Sequence, residues 1–412
     1  MNFKNISVIH VRYFTPAENL PVGRLALMER KIFFEYHPEF LEKGLELSPF
    51  KLPLKPGLIP CKDLLFEGLF GVFNDSLPDG WGRLLLDRKL LKHGIMPGDL
   101  SPLDRLRYVG KSGMGALTYH PETEATHPIY LQDLDEIENE ILQFQDNEDD
   151  QFVDDLLDLN SSSAGARPKI IVNLSKDSEN PNTMTTENSD WIIKFRSSLD
   201  PKESGMIEYA YHLMAKAAHL DVPEARLFPS KKNVGYFGVK RFDRIGDKRL
   251  HMHTISGLLH SDHRIPSLDY NTIMKATLLL TKNVQDCEKQ FKNSVFNILT
   301  HNRDDHAKNF SFLMDETGKW RVSPAYDLTF SRGPSGEHCT MILGEGKNPT
   351  LSHLLKLAEG GGLKKQRAQE IISEVQETVS KWPFFAKECG VSKSTSQRIQ
   401  LSLEHVSKTF FV

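Results

Sequence analysis

The nine residues from His301 to Asn309 restrict the possible folds of this chain more than any other stretch. Their sequence, HNRDDHAKN, places Asp304 five residues before Asn309, and Asp327 of a Tyr-Asp-Leu step follows eighteen residues after that asparagine. An aspartate, an asparagine and a second aspartate in this order are typical of sites that transfer a phosphoryl group. Apolar residues at 296–299 and 310–313 flank the stretch, which predicts a polar loop that leads into a buried strand.

The chemistry of phosphoryl transfer explains these residue types. The protein does little covalent work in such a reaction and mainly positions groups and stabilises charge. Asp304 is predicted to accept the proton of the attacking hydroxyl. Asn309 and Asp327 are predicted to hold Mg²⁺, which takes one or two carboxylates and retains several waters. For this spacing taken alone, a polar turn between helices is the alternative, because Asp, Asn and His are favoured where a chain bends.

Length and composition allow such an enzyme and argue against several other classes. The chain has 412 residues, enough for two or three folding units, and a net charge of −4, which predicts no global attraction to nucleic acid. We expect a cytoplasmic protein. No run of about 18 apolar residues predicts a membrane span, and the start MNFKNISVIH lacks the charged and apolar regions of a signal peptide. The four cysteines lack the spacing of a zinc ribbon or a disulfide framework.

Three parts are expected along the chain. Residues 1–130 alternate short β-like runs with turns and then a helical run at 81–87, which predicts an α+β accessory unit. Residues 131–245 are expected to hold a linker helix followed by strands, and helices are expected to predominate in residues 246–412. The linker is acidic: residues 131–158 carry twelve Asp or Glu and no Lys or Arg. We interpret it as one or two solvated amphipathic helices rather than a functional acidic tail, because its apolar residues recur at helical spacing.

A candidate phosphate loop lies between the acidic stretch and the strands. Residues 161–169, SSSAGARPK, have small side chains whose backbone amides can approach phosphates closely. With a single glycine the stretch also fits a flexible linker. Lys194 on a later apolar strand favours the phosphate loop, because a strand lysine can bind phosphates when a helix acid holds it. Glu208 is the predicted partner, and Glu203 could take its place. The alternative is a surface lysine and a first-turn glutamate that the helix dipole favours.

Residues 237–244, FGVKRFDR, predict a strand that runs into a polar turn. In a two-lobed enzyme a hinge between the lobes would lie here, and Asp243 could accept hydrogen bonds from a ribose. An ordinary solvated strand end explains the same residues equally well.

In this order, five segments resemble the HipA family of serine/threonine kinases: the loop SSSAGARPK, the strand WIIKF, the turn VKRFDR, the loop DDHAKNFSF and the step SPAYDL. The stretch FNDSLPDGWGR at 73–83 and the YVG step at 108–110 resemble the family's N-terminal domain. The resemblance covers nearly the whole chain. It implies an α+β fold with a bilobal core like that of protein kinases, an N-terminal α+β accessory domain and a mainly helical C-lobe.

The resemblance also implies roles for single residues. Asp304 would be the catalytic base, and Asn309 and Asp327 the metal ligands. The implied nucleotide-binding residues are Ser163, Ala164, Gly165, Ala166, Lys194, Glu208, Val239, Lys240, Asp243 and His306. Ser162 aligns with the serine that family members autophosphorylate to inactivate themselves, and Ser161 and Ser163 beside it are alternative acceptors.

The function implied by the resemblance is that of an ATP- and Mg²⁺-dependent protein kinase, the toxin of a type II toxin–antitoxin pair. The implied partners are a helix-turn-helix antitoxin, a protein substrate such as an aminoacyl-tRNA synthetase, and operator DNA reached only through the antitoxin. Two other functions stay open: a kinase for small molecules or lipids, and a mainly non-catalytic nucleotide-binding corepressor in an antitoxin–DNA complex. The intact set of Asp304, Asn309 and Asp327 favours catalysis over the corepressor.

Overall fold

The computed structural model describes residues 5–16, 19–122, 130–131, 133–147, 153–160, 165–174, 184–185, 190–232 and 234–410. A five-stranded sheet lies near the N-terminus, a six-stranded sheet follows, and helices predominate toward the C-terminus. This mixed α and β architecture confirms the predicted fold class. No helix among the described residues combines the length and the apolar character needed to cross a bilayer.

The first sheet packs one face on the core, because its strands alternate buried and exposed residues. In the first strand Ile9, Val11 and Tyr13 are buried, and the residues between them are exposed. The strand order is β4-β3-β2-β1-β5, with the bounds β1 Val8–Phe14, β2 Asn19–Met28, β3 Lys31–Tyr36, β4 Leu58–Pro60 and β5 Leu117–His120. Four helices belong to this sheet unit: α1 Pro38–Lys43, α2 Gly71–Asn74, α3 Gly80–Lys92 and α4 Pro102–Val109.

The acidic stretch forms two amphipathic helices, α5 (Leu134–Asn147) and α6 (Val153–Asn160), as its periodicity predicted. Their apolar faces are not left to solvent: Ile141, Phe144 and Val153 are fully buried in a core that also contains Trp81 of α3. The sheet beneath them has the order β10-β11-β9-β7-β8-β6. Its elements are β6 Tyr130–Leu131, β7 Lys169–Leu174, β8 Met184–Thr185, β9 Trp191–Lys194, α7 Ser204–Ala217, β10 Ala225–Phe228 and β11 Tyr236–Lys240.

The C-terminal part is built around one buried helix, α10, in which Phe291, Val295 and Phe296 have no exposed surface. Helices predominate here, as the sequence predicted. The strands are β12 Arg244–Ile245, β13 Lys248–Arg249, β14 His251–Thr254, β15 Leu268–Asp269, β16 Ser311–Met314, β17 Trp320–Val322 and β18 Thr340–Met341. The helices are α8 Ile255–Leu259, α9 Tyr270–Thr281, α10 Val284–Leu299, α11 Leu351–Gly360, α12 Lys365–Val379, α13 Trp382–Glu388 and α14 Lys393–Phe410.

The N-terminal sheet unit is joined to the C-terminal part through buried polar groups. Asp75 accepts hydrogen bonds from the backbone N–H of Thr254 at 2.7 Å and from its hydroxyl at 2.6 Å, and lies 2.6 Å from Nδ1 of His253. Close by, a Cβ on Gly71 would lie 2.1 Å from the carbonyl oxygen of Gly257. Backbones packed this closely hold the N-terminal unit firmly against the C-terminal part.

Candidate active site

The loop after α10 carries two adjacent aspartates that face opposite ways. Asp305 is buried, and its carboxylate accepts hydrogen bonds from the hydroxyl of Tyr270 at 2.8 Å and the backbone N–H of Thr340 at 3.2 Å. The ring nitrogen Nδ1 of His338 lies 2.8 Å from the same carboxylate. Asp304, by contrast, is exposed and lines an open cavity of about 470 Å³. Of the two, only Asp304 can meet the hydroxyl of a substrate.

The surroundings of Asp304 suit a proton acceptor. Desolvation raises the pKa of this carboxyl, and the negative charges of Asp327 and Asp305 act in the same direction. His306 and Arg167 oppose the shift without cancelling it. A carboxylate with a raised pKa holds a transferred proton more firmly, which is what general-base catalysis requires.

Asn309 and Asp327, the predicted metal ligands, are anchored to the same loop. The side-chain amide of Asn309 donates a 2.7 Å hydrogen bond to the backbone carbonyl of Asp304, which leaves its amide oxygen as the atom that could take a cation. The hydroxyl of Tyr326 donates to the carbonyl of Lys308 at 2.5 Å and so ties the Tyr-Asp step to the loop. Asp327 has a φ of 53°, in a left-handed region that is costly for an aspartate and concentrates at functional sites.

The structure brings Lys194 to both predicted carboxylates. Its ammonium lies 2.6 Å from Oε1 of Glu208 on α7 and contacts Oδ1 of Asp327 directly. Glu203, the alternative partner, instead accepts from the backbone N–H of Ser392 at 2.7 Å. Desolvation lowers the pKa of Lys194, but the charges of Asp327 and Glu208 outweigh it and raise that pKa. The lysine is therefore held as a cation in the cleft.

A second lysine lies beside Lys194, and the sequence analysis did not identify it. Lys169 is the register partner of Lys194 across β7 and β9, so both side chains leave the same face of the sheet. Lys169 is buried, and burial lowers its pKa to about 8, although the charge of Asp327 works against that change. A Cβ on Gly165 would meet the Lys169 ammonium at 2.1 Å, which places this cation directly under the candidate phosphate loop.

Only part of the candidate phosphate loop is described. Ser161, Ser162, Ser163 and Ala164 lie outside the described residues, whereas Gly165 and Ala166 are placed against the start of α3. The backbone N–H of Gly165 donates to Oδ1 of Asp79, and its carbonyl accepts from the backbone N–H of Trp81 at 3.2 Å. The other oxygen of Asp79 accepts from the ammonium of Lys308 at 2.5 Å. A residue of the N-terminal unit thus touches both loops of the site.

The three residues of the predicted hinge, Val239, Lys240 and Asp243, differ in their burial and in their contacts. Val239 and Lys240 end β11, where they pair with Ile192 and Trp191 of the strand that carries Lys194, and both are half-buried. Asp243 has no exposed surface. Its carboxylate accepts from Arg241 at 3.0 and 2.9 Å, from Arg244 at 2.6 Å and from the backbone N–H of Gly115 at 2.7 Å. A carboxylate without exposed surface cannot contact a ribose in this conformation, so the geometry favours a structural role for Asp243.

His306 lies beside Asp304 on the wall of the same cavity, opposite a histidine that the sequence analysis had not assigned to the site. The rings of His306 and His263 meet edge to face with centroids 5.6 Å apart. Nδ1 of His306 is buried without a hydrogen-bond partner among the described residues. Burial and the charge of Lys308 lower the pKa of His263 to about 4, so this ring is neutral at physiological pH. An unsatisfied ring nitrogen at this position is a candidate contact for a bound ligand.

Besides His263, four residues of the site were missed by the sequence analysis: Asp79, Arg167, Lys169 and Lys308. All four belong to motifs already singled out, since Asp79 lies in FNDSLPDGWGR, Arg167 and Lys169 in SSSAGARPK and Lys308 in DDHAKNFSF. The motifs were the available signal, but a motif does not tell which of its side chains point into the cleft.

A cleft with these residues on a mixed α and β scaffold defines a kinase-like protein. Comparison with protein families is more specific. The model of the HipA-like C-terminal domain matches residues 161–382, more than half of the chain, and that of the HipA N-terminal domain matches residues 16–120. The chain belongs to the HipA family, which confirms the resemblance and supports a HipA-type kinase.

Two similar proteins agree with this assignment. A chain of the solved complex "Shewanella oneidensis MR-1 Toxin Antitoxin System HipA, HipB and its operator DNA complex" has the same fold. The TM-score is 0.72 at 17% identity, and the match covers 98% of this chain and 97% of that chain. A curated relative from Sinorhizobium fredii (strain NBRC 101917 / NGR234), named "Putative kinase Y4dM", is 26% identical over 348 residues, which are 78% of this chain and 77% of the relative.

Proposed function

We propose that this protein is an ATP- and Mg²⁺-dependent serine/threonine protein kinase and the toxin of a type II toxin–antitoxin pair. One observation carries the proposal. The backbone carbonyl of Asp304, whose side chain faces the cleft, accepts a hydrogen bond from Asn309. Asp327 pairs with Lys194, and Glu208 contacts the same ammonium. These are the groups that phosphoryl transfer requires, within one cleft.

Two lysines would bind the phosphates of ATP. Lys194 and its cross-strand neighbour Lys169 would contact the phosphates of ATP, with Gly165 and Ala166 above them. Glu208 positions the Lys194 ammonium at 2.6 Å. Asp327 also pairs with Lys194, so ATP binding would turn the lysine toward the phosphates and release the carboxylate toward the cation. Val239 and Lys240, at the end of β11, would border the adenine.

The oxygen atoms of the site fit Mg²⁺. Desolvation acts to raise the pKa of Asp327, but the charges of Lys194 and Lys169 outweigh it and hold that pKa well below its usual range. The carboxylate is therefore ionised, and Asn309 adds a neutral amide oxygen. One carboxylate and one amide oxygen are a sufficient protein contribution to a Mg²⁺ site, which keeps several waters. When bound, the cation would neutralise charge on the phosphates.

Asp304 would move the proton. As the hydroxyl oxygen of a serine or threonine attacks the γ-phosphorus, its proton passes to the Asp304 carboxylate, and the bond to the ADP oxygen breaks. The products are ADP and a phosphorylated side chain. The cavity of about 470 Å³ beside Asp304 gives the acceptor hydroxyl a route to the carboxylate.

The partners follow from the family. The solved HipA complex contains HipB and operator DNA, and we propose a helix-turn-helix antitoxin as the partner of this chain, with DNA reached only through it. The net charge of −4 agrees with that order of contacts. We propose a translation-related protein substrate, such as an aminoacyl-tRNA synthetase.

Self-inactivation is part of the proposal. A phosphate on Ser162 would add nearly two negative charges close to where the ATP phosphates bind, and would compete for the same amides. Wild-type protein incubated with Mg-ATP should gain phosphate in the 161–163 cluster, and the modified form should bind ATP more weakly. Intact-mass spectrometry with peptide mapping decides this, since an unmodified cluster after long incubation would remove self-inactivation and leave the kinase proposal standing.

The main test is incubation of the purified protein with radiolabelled ATP, Mg²⁺ and a cell extract, with Asp304→Asn as the control. We expect labelled protein bands with the wild type and none with the variant. Consumption of ATP without labelled protein would favour a small-molecule or lipid kinase. ATP binding without consumption would favour the corepressor.

A further inference from the structure

Asp79 lies in the N-terminal sheet unit, yet its side chain reaches two loops of the candidate active site. One carboxylate oxygen accepts from the backbone N–H of Gly165 in the phosphate loop. The other accepts from the Lys308 ammonium in the catalytic loop at 2.5 Å. Asp79 and Lys308 are 229 positions apart in sequence. One carboxylate therefore links two loops that are far apart in the sequence.

The helix that Asp79 precedes does not account for its side chain. Asp79 occupies the N-cap position of α3, where an aspartate commonly accepts hydrogen bonds from the first N–H groups of its own helix. Here the side chain makes no such capping bond. Its two oxygens are directed away from α3, toward the two loops.

The backbone around Asp79 is shaped for this contact. The N–H of Trp81 donates to the carbonyl of Gly165 at 3.2 Å, so both polar backbone atoms of Gly165 are bound by the 79–81 segment. Between these two bonds lies Gly80, with a φ of 43°. A Cβ on Gly80 would lie 2.5 Å from the Cα of Ala166, which only a glycine avoids.

The catalytic loop, which Asp79 reaches through Lys308, is in turn bound to the segment that carries the predicted metal ligand Asp327. Lys308 lies in the turn Ala307–Asn309, and its carbonyl accepts from the hydroxyl of Tyr326 at 2.5 Å. Asp327 follows directly in the chain. The side chains of Asp79 and Lys308 are 21% and 8% exposed, so water screens their ion pair only weakly.

We propose that Asp79 is a positioning residue that holds the phosphate loop in register with the catalytic loop, so that the N-terminal unit completes the nucleotide site. The inference rests on the proposed function. A phosphate loop binds through backbone amides, whose directions must be set before the ligand arrives. Asp79 occupies the amide of Gly165 and so fixes the backbone from which the neighbouring amides of the phosphate loop project. It also joins that backbone to the loop that carries Asp304 and Asn309.

The test compares Asp79→Asn with Asp75→Asn. Asparagine at position 79 keeps an oxygen for Gly165 and loses the charge that pairs with Lys308. Asp75 lies four residues earlier and also joins the N-terminal unit to the C-terminal part, through His253 and Thr254, but it makes no hydrogen bond to the described residues of either loop. Asp75→Asn therefore controls for a general loosening of the N-terminal unit.

For Asp79→Asn we expect the KM for ATP to rise about 10–100-fold, the size of one hydrogen bond between charged groups, while kcat changes far less. Hydrogen–deuterium exchange should increase in peptides that contain Gly165, because the side chain at position 79 is no longer held by its ion pair with Lys308 and binds the Gly165 N–H less firmly. Asp75→Asn should lower the melting temperature and leave both quantities unchanged.

Two results would overturn the inference: wild-type KM and exchange in Asp79→Asn, or an equal rise of KM in Asp75→Asn. Exchange at Gly165 needs no nucleotide. If the wild type failed to bind ATP, the proposed function would fail, and the exchange comparison would still decide the role of Asp79.

Discussion

Two charged clusters in this molecule each combine one aspartate with two cations, but they differ in their exposure to water. The cleft cluster consists of Asp327, Lys194 and Lys169, and the joint cluster of Asp243, Arg241 and Arg244. In each, desolvation acts to raise the pKa of the aspartate, and two cations outweigh it and hold that pKa below its usual range. Asp327 is 39% exposed and Asp243 is 0% exposed. The two carboxylates therefore differ in exposure rather than in charge, and exposure makes Asp327 a candidate metal ligand and Asp243 a structural group.

The cations differ in a way that fits the two surroundings. Arg241 and Arg244 meet Asp243 with their planar guanidinium groups and also donate to the carbonyl of Gly113 at 3.2 and 3.0 Å. These bonds fasten the predicted hinge to the N-terminal unit and leave no oxygen of Asp243 for another partner. Lys194 is a point charge on a flexible stem, which can turn from a carboxylate to a phosphate. The difference indicates that Asp327 can leave its lysine for another partner, because that lysine can move, whereas Asp243 stays bound to its two arginines.

The largest effect is expected in the cleft. Asp304→Asn should lower phosphoryl transfer by about 10²–10⁴-fold, the usual contribution of a general base, while ATP binding persists. Rate measurements beside a calorimetric titration of ATP separate the two. Asp305→Asn is the matched control, since its buried side chain should affect stability first. Full transfer activity in Asp304→Asn would refute the assignment.

The next largest effect is expected in the joint cluster. Asp243→Ala should lower the free energy of unfolding by about 3–5 kcal/mol, because it leaves two buried arginines without their carboxylate. Denaturant unfolding measures this loss. The KM for ATP of the folded fraction should stay at the wild-type value. A raised KM for ATP in well-folded Asp243→Ala protein would instead support the ribose contact that the sequence predicted for Asp243.

Asp327→Asn should show the reverse pattern. ATP affinity in the presence of Mg²⁺ should fall at least 10–100-fold, roughly what the loss of even an outer partner costs a metal site. Stability should fall less than in Asp243→Ala, because water reaches this cluster and screens its charges. Titrations with and without Mg²⁺ measure the first effect, and the same unfolding assay measures the second. Equal losses of stability in the two variants would erase the distinction between the clusters.

The smallest effect concerns pH. Burial lowers the pKa of Lys169 to about 8, and bound phosphates should raise it again. ATP affinity should therefore weaken as pH rises through about 8, and binding near that pH should take up a proton, which calorimetry in two buffers detects. Lys169→Arg should bind ATP without this dependence, because arginine stays charged.

Without nucleotide, stability should change with pH in the opposite direction. Burying the charged lysine costs free energy below pH 8 or so. This cost is relieved as pH rises toward the ordinary lysine pKa of about 10.4, because the unfolded chain then binds more protons. A flat unfolding free energy between these values would place Lys169 outside the cleft cluster.

Much of the architecture could be predicted from local pattern. The acidic stretch became α5 and α6 because the spacing of its apolar residues matches a helix. The spacing of Asp304, Asn309 and Asp327 predicted residues that the structure brings close together. Local pattern did not show that Trp81 packs against the acidic helices, or that Asp79 contacts a loop more than two hundred residues away. Both contacts depend on how distant elements pack, which no short stretch records.

The sequence by itself determined which residue types are available, in what order, and with what periodicity, and so the mixed fold, the family and the candidate chemistry. Only the tertiary structure decided that Asp304 faces the cavity while Asp305 is buried, that Glu208 rather than Glu203 meets Lys194, and that Asp243 is enclosed. The physical reason is that neighbouring residues of one type differ only in direction and burial. Those properties follow from the packing of the whole chain, because exposure to water depends on everything that surrounds a group.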